Sequence, residues 1–371
     1  MAAQPSTPSR EARARAQQAL GETGIDALLV GPGADLRYLT GYHALPLERI
    51  TLLVARADGR HTLLVPKLER PRAEAAGVPE SVEIIDYSET DDQASLAVAQ
   101  LADLGSAPCL AVGDQLWAMF LLPLRERLPD ARWGLASAVV RELRMRKSPD
   151  EIDALRRAAQ AIDRVHAQVP GLLRPGRSEA EVGRDIADLI VSEGHQQVNF
   201  VIVASGPNGA SPHHEPGERR LTRGDGIVVD IGGSLDGYCS DCTRDYVLGA
   251  APSGYEEAHA ALEAAQATAC SAARPGVTAG AVDAAAREAL TEAGYGEFFV
   301  HRTGHGIGMD GHEEPYIVAG NDLILESGMA FSIEPGIYIP GRFGQRIEDI
   351  VVLHQDGAER LNTRDRAAVI V

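Results

Sequence analysis

The sequence predicts an α+β protein with two parts: a smaller α/β domain over residues 1–145 and a larger α+β domain over residues 146–371. Three observations support this division. Short apolar runs alternate with helical patterns throughout the first part. The second part contains the pattern of two helices followed by a hairpin, and this pattern occurs twice. A glycine-rich hairpin at residues 226–241 carries two aspartates, and the rest of the second part is arranged around it.

The first part contains apolar runs of strand length, separated by helical patterns that begin with a helix at residues 11–20. Alternation of this kind predicts a mixed sheet. The strands are expected at residues 27–30, 50–54, 62–65, 82–85 and 109–112. No dense cluster of acids, histidines or cysteines occurs here, so we expect this domain to serve as scaffold, oligomer contact or substrate gate.

The overall composition excludes several classes of protein. The 371 residues carry a formal net charge of −18, which argues against nucleic acid or an anionic membrane as a partner. No run approaches the roughly 20 apolar residues of a membrane-spanning helix. The first twenty residues contain no apolar core of signal-peptide length, so a cytoplasmic location is expected. The four cysteines are too scattered for a disulfide framework, and Cys239 and Cys242 read as strand residues.

Capping signals define the helices of the second part. Ser148 precedes a proline and two acids, which predicts a helix from residue 149 to about 169. Ser178 and Glu181 form a capping box that starts a helix ending near residue 192. The corresponding helices of the second copy are predicted at residues 255–273 and 278–292.

The hairpin after the first helix pair presents two carboxylates. If its turn lies between Leu235 and Asp236, Asp230 pairs directly with Asp241, and paired residues point to the same face. Like charges directly opposite one another are destabilising. We therefore expect a divalent cation between the two carboxylates, where it would offset their repulsion.

The second hairpin, at residues 329–353, repeats the arrangement. With its apex at Gly341, Glu334 lies opposite Glu348. If both hairpins pack around a pseudo-twofold axis, four carboxylates converge, and two divalent cations balance their charge. Bridging carboxylates hold such ions about 3.5–4 Å apart, the spacing of two-metal hydrolases.

The segment between the hairpins supplies nitrogen ligands, because His301, His305 and His312 lie among glycines there. One histidine would complete the centre, and the others would act as hydrogen-bond partners. Oxygen ligands with a single imidazole suit Mn²⁺, Co²⁺, Fe²⁺ or Zn²⁺. A phosphate-binding loop is the alternative interpretation of this glycine-rich segment. However, neither the G-x-x-x-x-G-K-[ST] nor the G-x-G-x-x-G pattern of nucleotide-binding proteins is present.

Four motifs of the second part resemble the pita-bread metallopeptidases, the family of methionine aminopeptidase, aminopeptidase P and prolidase. They are VVDIGGSLDGYCSDCTRD, HRTGHGIGMDGHEEP, FSIEPGIYIPG and GQRIEDIVV, and the resemblance extends from Lys147 to Val371. The segment DLRYLTGY resembles the creatinase-like N-terminal domain that prolidase and aminopeptidase P carry and methionine aminopeptidases lack. The resemblance implies a pita-bread fold with a pseudo-twofold repeat, a homodimer and two divalent metal ions per subunit. Manganese is the metal that we expect.

The resemblance also implies the site residues. The implied metal ligands are Asp230, Asp241, His305, Glu334 and Glu348. Asp241 and Glu348 match the pair that bridges both ions. Asp230 completes one ion, and His305 and Glu334 complete the other. Glu334 also matches the residue assigned as general base.

Further residues match groups that contact the substrate. His312 and His213, with His214 as the alternative to His213, match the two histidines at the scissile peptide. His301 matches a histidine of the proline pocket, and Arg346 an arginine beside the second bridging acid. Tyr238 is expected close to the metals, with a packing role as the alternative.

The resemblance implies hydrolysis of the peptide bond before proline in small peptides. Some prolidases place an arginine after the H-E-x-P segment to bind the carboxylate of a dipeptide, and Tyr316 stands there in this chain. Arg346 or a residue of the first domain could substitute. A dipeptidase is slightly favoured over an aminopeptidase P. A non-catalytic binding module and a metal-free creatinase-like hydrolase are the remaining alternatives, and the intact ligand set argues against both.

Overall fold

The computed structural model describes residues 10–371, so residues 1–9 of the predicted first domain lie outside the described residues. The chain divides into two compact units between Arg144 and Met145. No helix within the described range has both the length and the apolar character needed to cross a membrane.

The first unit contains a mixed sheet, as predicted, and this sheet has six strands. Its strands are β1 (Ala27–Val30), β2 (Leu52–Arg56), β3 (His61–Pro66), β4 (Val82–Tyr87), β5 (Cys109–Val112) and β6 (Arg132–Leu135). They lie in the order β4-β3-β2-β1-β5-β6. β1 pairs with β5 in parallel and with β2 in antiparallel fashion. All five predicted strands are present, whereas β6 was not predicted because its four residues are mostly exposed and follow no apolar pattern.

Helices accompany this sheet along the described part of the first unit. They are α1 (Arg10–Thr23), α2 (Ala34–Thr40), α3 (Arg70–Ala75), α4 (Gln93–Ala99), α5 (Ala118–Arg127) and α6 (Ser137–Met145). A core of strand residues such as Leu29, Leu52 and Leu110 packs against Leu101 and Leu124 from the helical side. The apolar side chains of the sheet are thereby removed from water.

The second unit has the predicted repeat of two helices followed by strands. Its helices are α7 (Pro149–Gln168), α8 (Glu179–Ser192), α9 (Tyr255–Ala272) and α10 (Ala279–Glu292), with short 3₁₀ helices at Val169–Gly171, Gly206–Ala210 and Gly296–Phe298. The predicted capping box of Ser178 and Glu181 starts α8, and the predicted N-cap Ser148 of α7 forms a capping box with Glu151 as well. The helix starts were predictable because capping depends on local sequence alone.

Three sheets complete the second unit. Their strands are β7 (Gln197–Ser205), β8 (Gly226–Leu235), β9 (Tyr238–Val247), β10 (Gly304–Gly306), β11 (Glu313–Ile317), β12 (Ala330–Ile333), β13 (Gly336–Ile339), β14 (Phe343–Arg346), β15 (Asp349–His354), β16 (Gly357–Arg360) and β17 (Val369–Ile370). The sheet orders are β17-β9-β8-β7, β11-β10-β12-β15-β16 and β13-β14. The hairpin of the first copy therefore lies within one sheet, whereas the hairpin of the second copy is divided between two sheets.

The register of the first hairpin differs from the prediction. Asp230 pairs with Thr243, and Asp241 pairs with Gly232, so the expected direct pairing of the two aspartates is wrong. The turn consists of Asp236 and Gly237, which both have positive φ, 52° and 90°. Such a two-residue turn matches the twist of the strands, and it moves the register by two residues. Because side chains alternate with a period of two, both aspartates still point to the same face.

The second hairpin has the predicted register. Ile333 pairs with Asp349 on one side, and Gly336 pairs with Arg346 on the other. Both ladders share one register, so Glu334 and Glu348 oppose each other in the gap between them. Gly341 lies in the turn with a φ of 74°. The prediction of this register from the apex is confirmed.

Candidate active site

The two hairpins bring four carboxylates together in the interior of the second unit. Asp230, Asp241 and Glu348 offer ligand atoms that all lie within 4.8 Å of one another. Glu334 and His305 form a second set of this kind, again with Glu348. Glu348 therefore belongs to both sets, as a bridging ligand would. Strands β8, β9 and β10 carry three of these residues, and the other two stand in the gap of the second hairpin.

The protein alone does not satisfy these carboxylates. Oδ1 of Asp230 and Oε1 of Glu348 are buried and have no hydrogen-bond partner among the described residues. Burial, and then the charge of Asp230, hold the pKa of Asp241 well above its usual range. Burial and the charge of Asp241 do the same to the pKa of Glu348. Buried carboxylates stay ionised only when cations balance them, so the ligand set fits divalent cations.

Glu334 and His305 form an ion pair within the second set. Nε2 of His305 lies 3.1 Å from Oε1 of Glu334, and the Ser332 hydroxyl donates to the same oxygen at 2.9 Å. Burial works to raise the pKa of Glu334, but the hydrogen bond and charge of His305 outweigh it and lower that pKa to about 2. Burial works to lower the pKa of His305, but Glu334 and Asp241 outweigh it and raise that pKa. Glu334 is thus held as a carboxylate.

Arg346 occupies a different place from the one expected of a substrate contact. Its guanidinium is buried and donates to Oδ2 of Asp230, to the carbonyl of Pro212 at 3.1 Å and to the hydroxyl of Tyr338 at 2.9 Å. Its Nε also donates to the Thr243 hydroxyl at 3.2 Å. With these donors committed, Arg346 organises the carboxylates and has little capacity left for a substrate.

Two residues that sequence reasoning missed complete this network. The Thr243 hydroxyl donates to Oε2 of Glu348 at 2.7 Å, and it follows Asp241 by two positions on the same strand face. This spacing of two residues from Asp241 is the sequence signal by which Thr243 could have been found. The Tyr338 hydroxyl lies 2.8 Å from Nε2 of His301, and it also accepts from Arg346. No local pattern distinguished Tyr338, because its contacts depend on how the chain folds around it.

Three histidines lie near the carboxylates at the accessible side. The ring of His312 lies 3.8 Å from the ring of His305, centroid to centroid. Burial, and then the charge of His305, lower the pKa of His312 to about 4. Burial also lowers the pKa of His301. The charge of His213 also contributes to the lowered pKa of both His301 and His312.

His214, the alternative to His213, points elsewhere. Its Nε2 lies 2.7 Å from Oε2 of Glu179, a buried carboxylate at the start of α8. His213 is exposed, and no hydrogen bond of its side chain is found among the described residues. The geometry therefore favours His213 over His214 as the histidine that faces the carboxylates.

Tyr238 is not close to the carboxylate cluster in the way expected. It lies three positions from Asp241 and so on the opposite strand face, and its hydroxyl donates to Oε1 of Glu151 at 3.2 Å. It is buried in an apolar cluster with Ala154 and Leu155. The position of Tyr238 therefore agrees with the alternative prediction, in which it packs in the interior.

Neither cysteine of the same strand belongs to the ligand sets, although the Cys242 thiol donates to the Glu348 carbonyl at 3.6 Å. Cys239 and Cys242 are free and buried, in keeping with the prediction that they are strand residues. Burial raises the pKa of the Cys239 thiol to about 11, so this thiol stays protonated at neutral pH.

The positively charged side chain of Arg302 lies beside Tyr316, which stands where some prolidases have an arginine. The guanidinium of Arg302 lies over the ring of Tyr316, with Cζ 4.5 Å from the ring centroid. Nη2 of Arg302 also donates to Nδ1 of His312 at 3.3 Å. No acidic side chain within the described residues forms an ion pair with Arg302. Its positive charge therefore lies next to the histidine cluster without a carboxylate to neutralise it.

Comparison with known proteins agrees with this geometry. Residues 153–355 match the model of metallopeptidase family M24, and residues 13–146 match the creatinase/prolidase N-terminal domain. The chain is 51% identical to a probable dipeptidase PepE of Mycobacterium tuberculosis over 361 residues, which cover 96% of this chain and 95% of that protein.

Two solved structures are similar throughout. Dipeptidase PepE from Mycobacterium ulcerans superposes with a TM-score of 0.92 at 50% identity, covering 97% of each chain. A prolidase from Thermococcus sibiricus superposes with a TM-score of 0.92 at 37% identity, covering 98% of each chain. The fold is thus the predicted creatinase-like domain followed by a pita-bread domain, and the protein is an enzyme. The chain belongs to metallopeptidase family M24.

Proposed function

We propose that this protein is a two-metal Xaa-Pro peptidase that cleaves the bond before proline, with dipeptides as the preferred substrates. One observation carries the proposal: two sets of three ligand residues share the buried Glu348. In the proposal, Asp230, Asp241 and Glu348 hold one divalent cation. His305, Glu334 and Glu348 would hold the other, and Asp241 would contribute to both. Cations bound there would supply Lewis acidity and a nucleophile at neutral pH.

The protein groups around the cations have separate tasks in this proposal. Glu334, whose carboxylate accepts a hydrogen bond from the Ser332 hydroxyl, would act as the general base for the nucleophile. His213 and His312 lie at the accessible side, where they can hydrogen-bond the scissile peptide and stabilise the charge that develops on its oxygen. Arg346 and Thr243 hold Asp230 and Glu348 in fixed orientations, as supporting hydrogen bonds do in other metal sites.

Proline specificity rests on His301 and Tyr338 in the proposal. A bond before proline has no N–H, so the pocket must recognise the ring rather than a donor. His301 is held on both sides, by the Tyr338 hydroxyl at 2.8 Å and by the Arg302 carbonyl at 2.7 Å. A fixed imidazole with both nitrogens engaged offers its ring face and edge to an apolar group. The name of the similar Thermococcus sibiricus protein, prolidase, supports this assignment.

The preference for dipeptides rests on Arg302. A dipeptide carries a free carboxylate directly after its proline, and an arginine is well suited to bind it. Arg302 is positioned by the Tyr316 ring, beside His312, and is free of acidic partners among the described side chains. The names of the PepE relatives, dipeptidases, are consistent with this preference. An aminopeptidase P, which accepts longer peptides with proline second, is the alternative because Tyr316 replaces the expected arginine.

The test is a comparison of Xaa-Pro dipeptides, Xaa-Pro-Xaa tripeptides and dipeptides lacking proline with the metal-loaded enzyme. The proposal predicts the highest kcat/KM for the Xaa-Pro dipeptides. Faster hydrolysis of the tripeptides would assign the aminopeptidase activity instead, and equal hydrolysis of dipeptides without proline would refute proline specificity. Binding of peptide without any turnover would favour a non-catalytic module.

The other sequence-based expectations stay predictions, and each has a direct measurement. Metal analysis of the purified protein tests manganese. Analytical ultracentrifugation tests the homodimer, for which the exposed Trp117, Met119 and Leu122 around α5 offer an apolar surface. Cell fractionation tests the cytoplasmic location. Deletion of the first domain tests its proposed roles in oligomer contact and substrate gating.

A further inference from the structure

A single buried carboxylate holds together the loop that carries His213. Glu179, the first residue of α8, is fully buried. It accepts hydrogen bonds from the Ser205 backbone at 2.8 Å and from the Asn208 amide at 3.1 Å. It also accepts from the Gly217 backbone at 3.3 Å and lies 2.7 Å from Nε2 of His214. One side chain thus fastens the beginning, the middle and the end of the segment 205–217.

The electrostatics of Glu179 favour its role as an acceptor. Burial alone would raise the pKa of this carboxyl, but the hydrogen bonds from Ser205, His214 and Asn208 outweigh burial and lower it. Its position in the first turn of a helix adds a favourable interaction with the helix dipole. An ionised, buried acceptor with several donors costs a great deal to disrupt, because its desolvation is offset only by those donors.

The same loop is fixed to the carboxylate cluster at a second point. The carbonyl of Pro212 accepts from Arg346, which also holds Asp230. The backbones of Gly209 and Gly344 approach so closely that a Cβ at Gly344 would lie 1.7 Å from the Gly209 carbonyl oxygen. Only glycine permits such an approach. The loop therefore rests on β14, the strand that ends in Arg346.

These two attachments flank His213 on either side. Pro212 precedes it and is held by Arg346, and His214 follows it and is held by Glu179. The His213 side chain is exposed between them, and its charge acts on both His301 and His312. A residue whose two neighbours are both fixed has few backbone conformations left. Its side chain is therefore directed without a hydrogen bond of its own.

We propose that Glu179 and His214 form a clamp that positions His213 for catalysis, so that both act as positioning residues without touching the substrate. This inference rests on the proposed function, because His213 is a catalytic residue only if the peptide bond is hydrolysed here. The clamp itself is a property of the loop and can be tested without substrate. It also assigns separate roles to two adjacent histidines, one towards the substrate and one towards the protein.

The experiment compares His214→Ala and His214→Gln with the metal-loaded wild type. Loss of the clamp in His214→Ala is expected to lower kcat about tenfold or more while KM stays within about twofold, because misplacement of a catalytic group affects mainly the transition state. His214→Gln retains an amide donor for Glu179 and is expected to recover most of kcat. Both variants should bind as much metal as the wild type.

Hydrogen–deuterium exchange on the same proteins provides the readout without substrate. Amides of residues 206–217 should exchange faster in His214→Ala, with no change in α7 or α10, and His214→Gln should restore protection. The matched control is His354→Ala. It removes another histidine–glutamate pair of 2.7 Å, between His354 and Glu359, which is exposed on the surface. This control is expected to change neither kcat nor loop exchange.

Three results would overturn the clamp. They are wild-type loop exchange in His214→Ala, faster exchange throughout that variant, and failure of His214→Gln to recover kcat. If His214→Ala does not fold, Glu179→Gln gives the same test, because it keeps an acceptor for Ser205 but weakens the contact with His214. A wild type that hydrolyses no Xaa-Pro peptide would refute the proposed function alone, since the exchange measurement still decides whether the clamp exists.

Discussion

The guanidinium of Arg346 donates to Oδ2 of Asp230, while Oδ1 of Asp230 is buried without a hydrogen-bond partner among the described residues. One oxygen of this carboxylate is thus fixed by the protein, and the other is left for a cation. Arg346 also donates to Thr243, which donates in turn to Glu348. A chain of hydrogen bonds therefore connects one carboxylate of the first hairpin to one of the second.

Replacing Arg346 by methionine is expected to destabilise the protein by about 3–5 kcal/mol, because it leaves a buried carboxylate without its partner. Urea unfolding of the metal-free protein measures this loss, because no cation then balances the charge of Asp230. The same variant should also lower kcat/KM, since Asp230 and the Pro212 carbonyl both lose a donor.

The control for this variant is Arg164→Met. The Arg164–Glu193 pair joins its two side chains at 2.7 Å, but about half of the arginine side chain is exposed. Exposed pairs contribute about 0–1 kcal/mol. Equal losses of stability in the two variants would contradict the role given to Arg346.

Arg302→Met should weaken the binding of dipeptides that have a free C-terminal carboxylate, but not of dipeptides whose C-terminus is amidated. Because Arg302 is expected to bind the carboxylate after proline, its loss should raise KM for Xaa-Pro dipeptides about tenfold or more, as loss of a charge-assisted hydrogen bond does. KM for the same dipeptides with an amidated C-terminus should hardly change. Steady-state kinetics on both substrate forms measure the difference. A similar increase in KM for both forms would show that Arg302 does not bind the carboxylate.

Buried His166 should make stability depend on pH. Burial, and then the charge of Arg244, lower the pKa of this imidazole to about 3 in the folded protein. Between pH 3 and the unfolded value of about 6.5, the unfolded chain binds more protons, so stability falls as the pH falls, by up to about 1.4 kcal/mol per unit. His166→Gln retains a donor for the Cys242 carbonyl but does not titrate. Urea unfolding at pH 7 and pH 5 should give a smaller decrease for the variant, and equal decreases would contradict this account.

The two hairpins illustrate what local sequence could and could not specify. The position of Glu334 opposite Glu348 followed from a single apex at Gly341, and the structure has that register. The predicted pairing of Asp230 with Asp241 was wrong because Asp236 and Gly237 together form the turn and shift the ladder. An Asp-Gly pair is itself a strong hairpin signal, so this register was within reach of the sequence.

The interior of the site was less predictable than its ligands. Tyr338 could not have been identified, since its contacts with His301 and Arg346 depend on tertiary packing. The choice between His213 and His214 likewise needed the position of Glu179 on another helix. Ligands follow from motifs, whereas their supporting contacts follow from the fold.

The expectation for Tyr238 failed for a different reason. Tyr238 is close to Asp241 in sequence, but strand residues alternate between faces, and an odd spacing of three places the two side chains on opposite faces. The alternation was available from the sequence, so this residue could have been assigned to the packed face before the structure was known.

The turn of the first hairpin should be sensitive to substitution. Gly237 has a φ of 90°, which other residues adopt only with strain, so Gly237→Ala should cost about 1 kcal/mol or more. Gly134→Ala is the control, because Gly134 has no positive φ and an added Cβ there would meet no atom of the described residues within 4 Å. Chemical unfolding of both variants measures the difference. An unchanged stability of Gly237→Ala would argue against this turn geometry.

We propose that two divalent cations share Glu348 and are required for hydrolysis. The most direct measurement combines metal analysis with hydrolysis of a Xaa-Pro dipeptide, for the wild type and for Glu348→Gln. We predict two equivalents of metal and full activity for the wild type, and loss of activity on chelation that is reversed by adding metal. Glu348→Gln should bind less metal and lose activity by at least about 100-fold. Full activity of the metal-free wild type, or of Glu348→Gln, would contradict the claim.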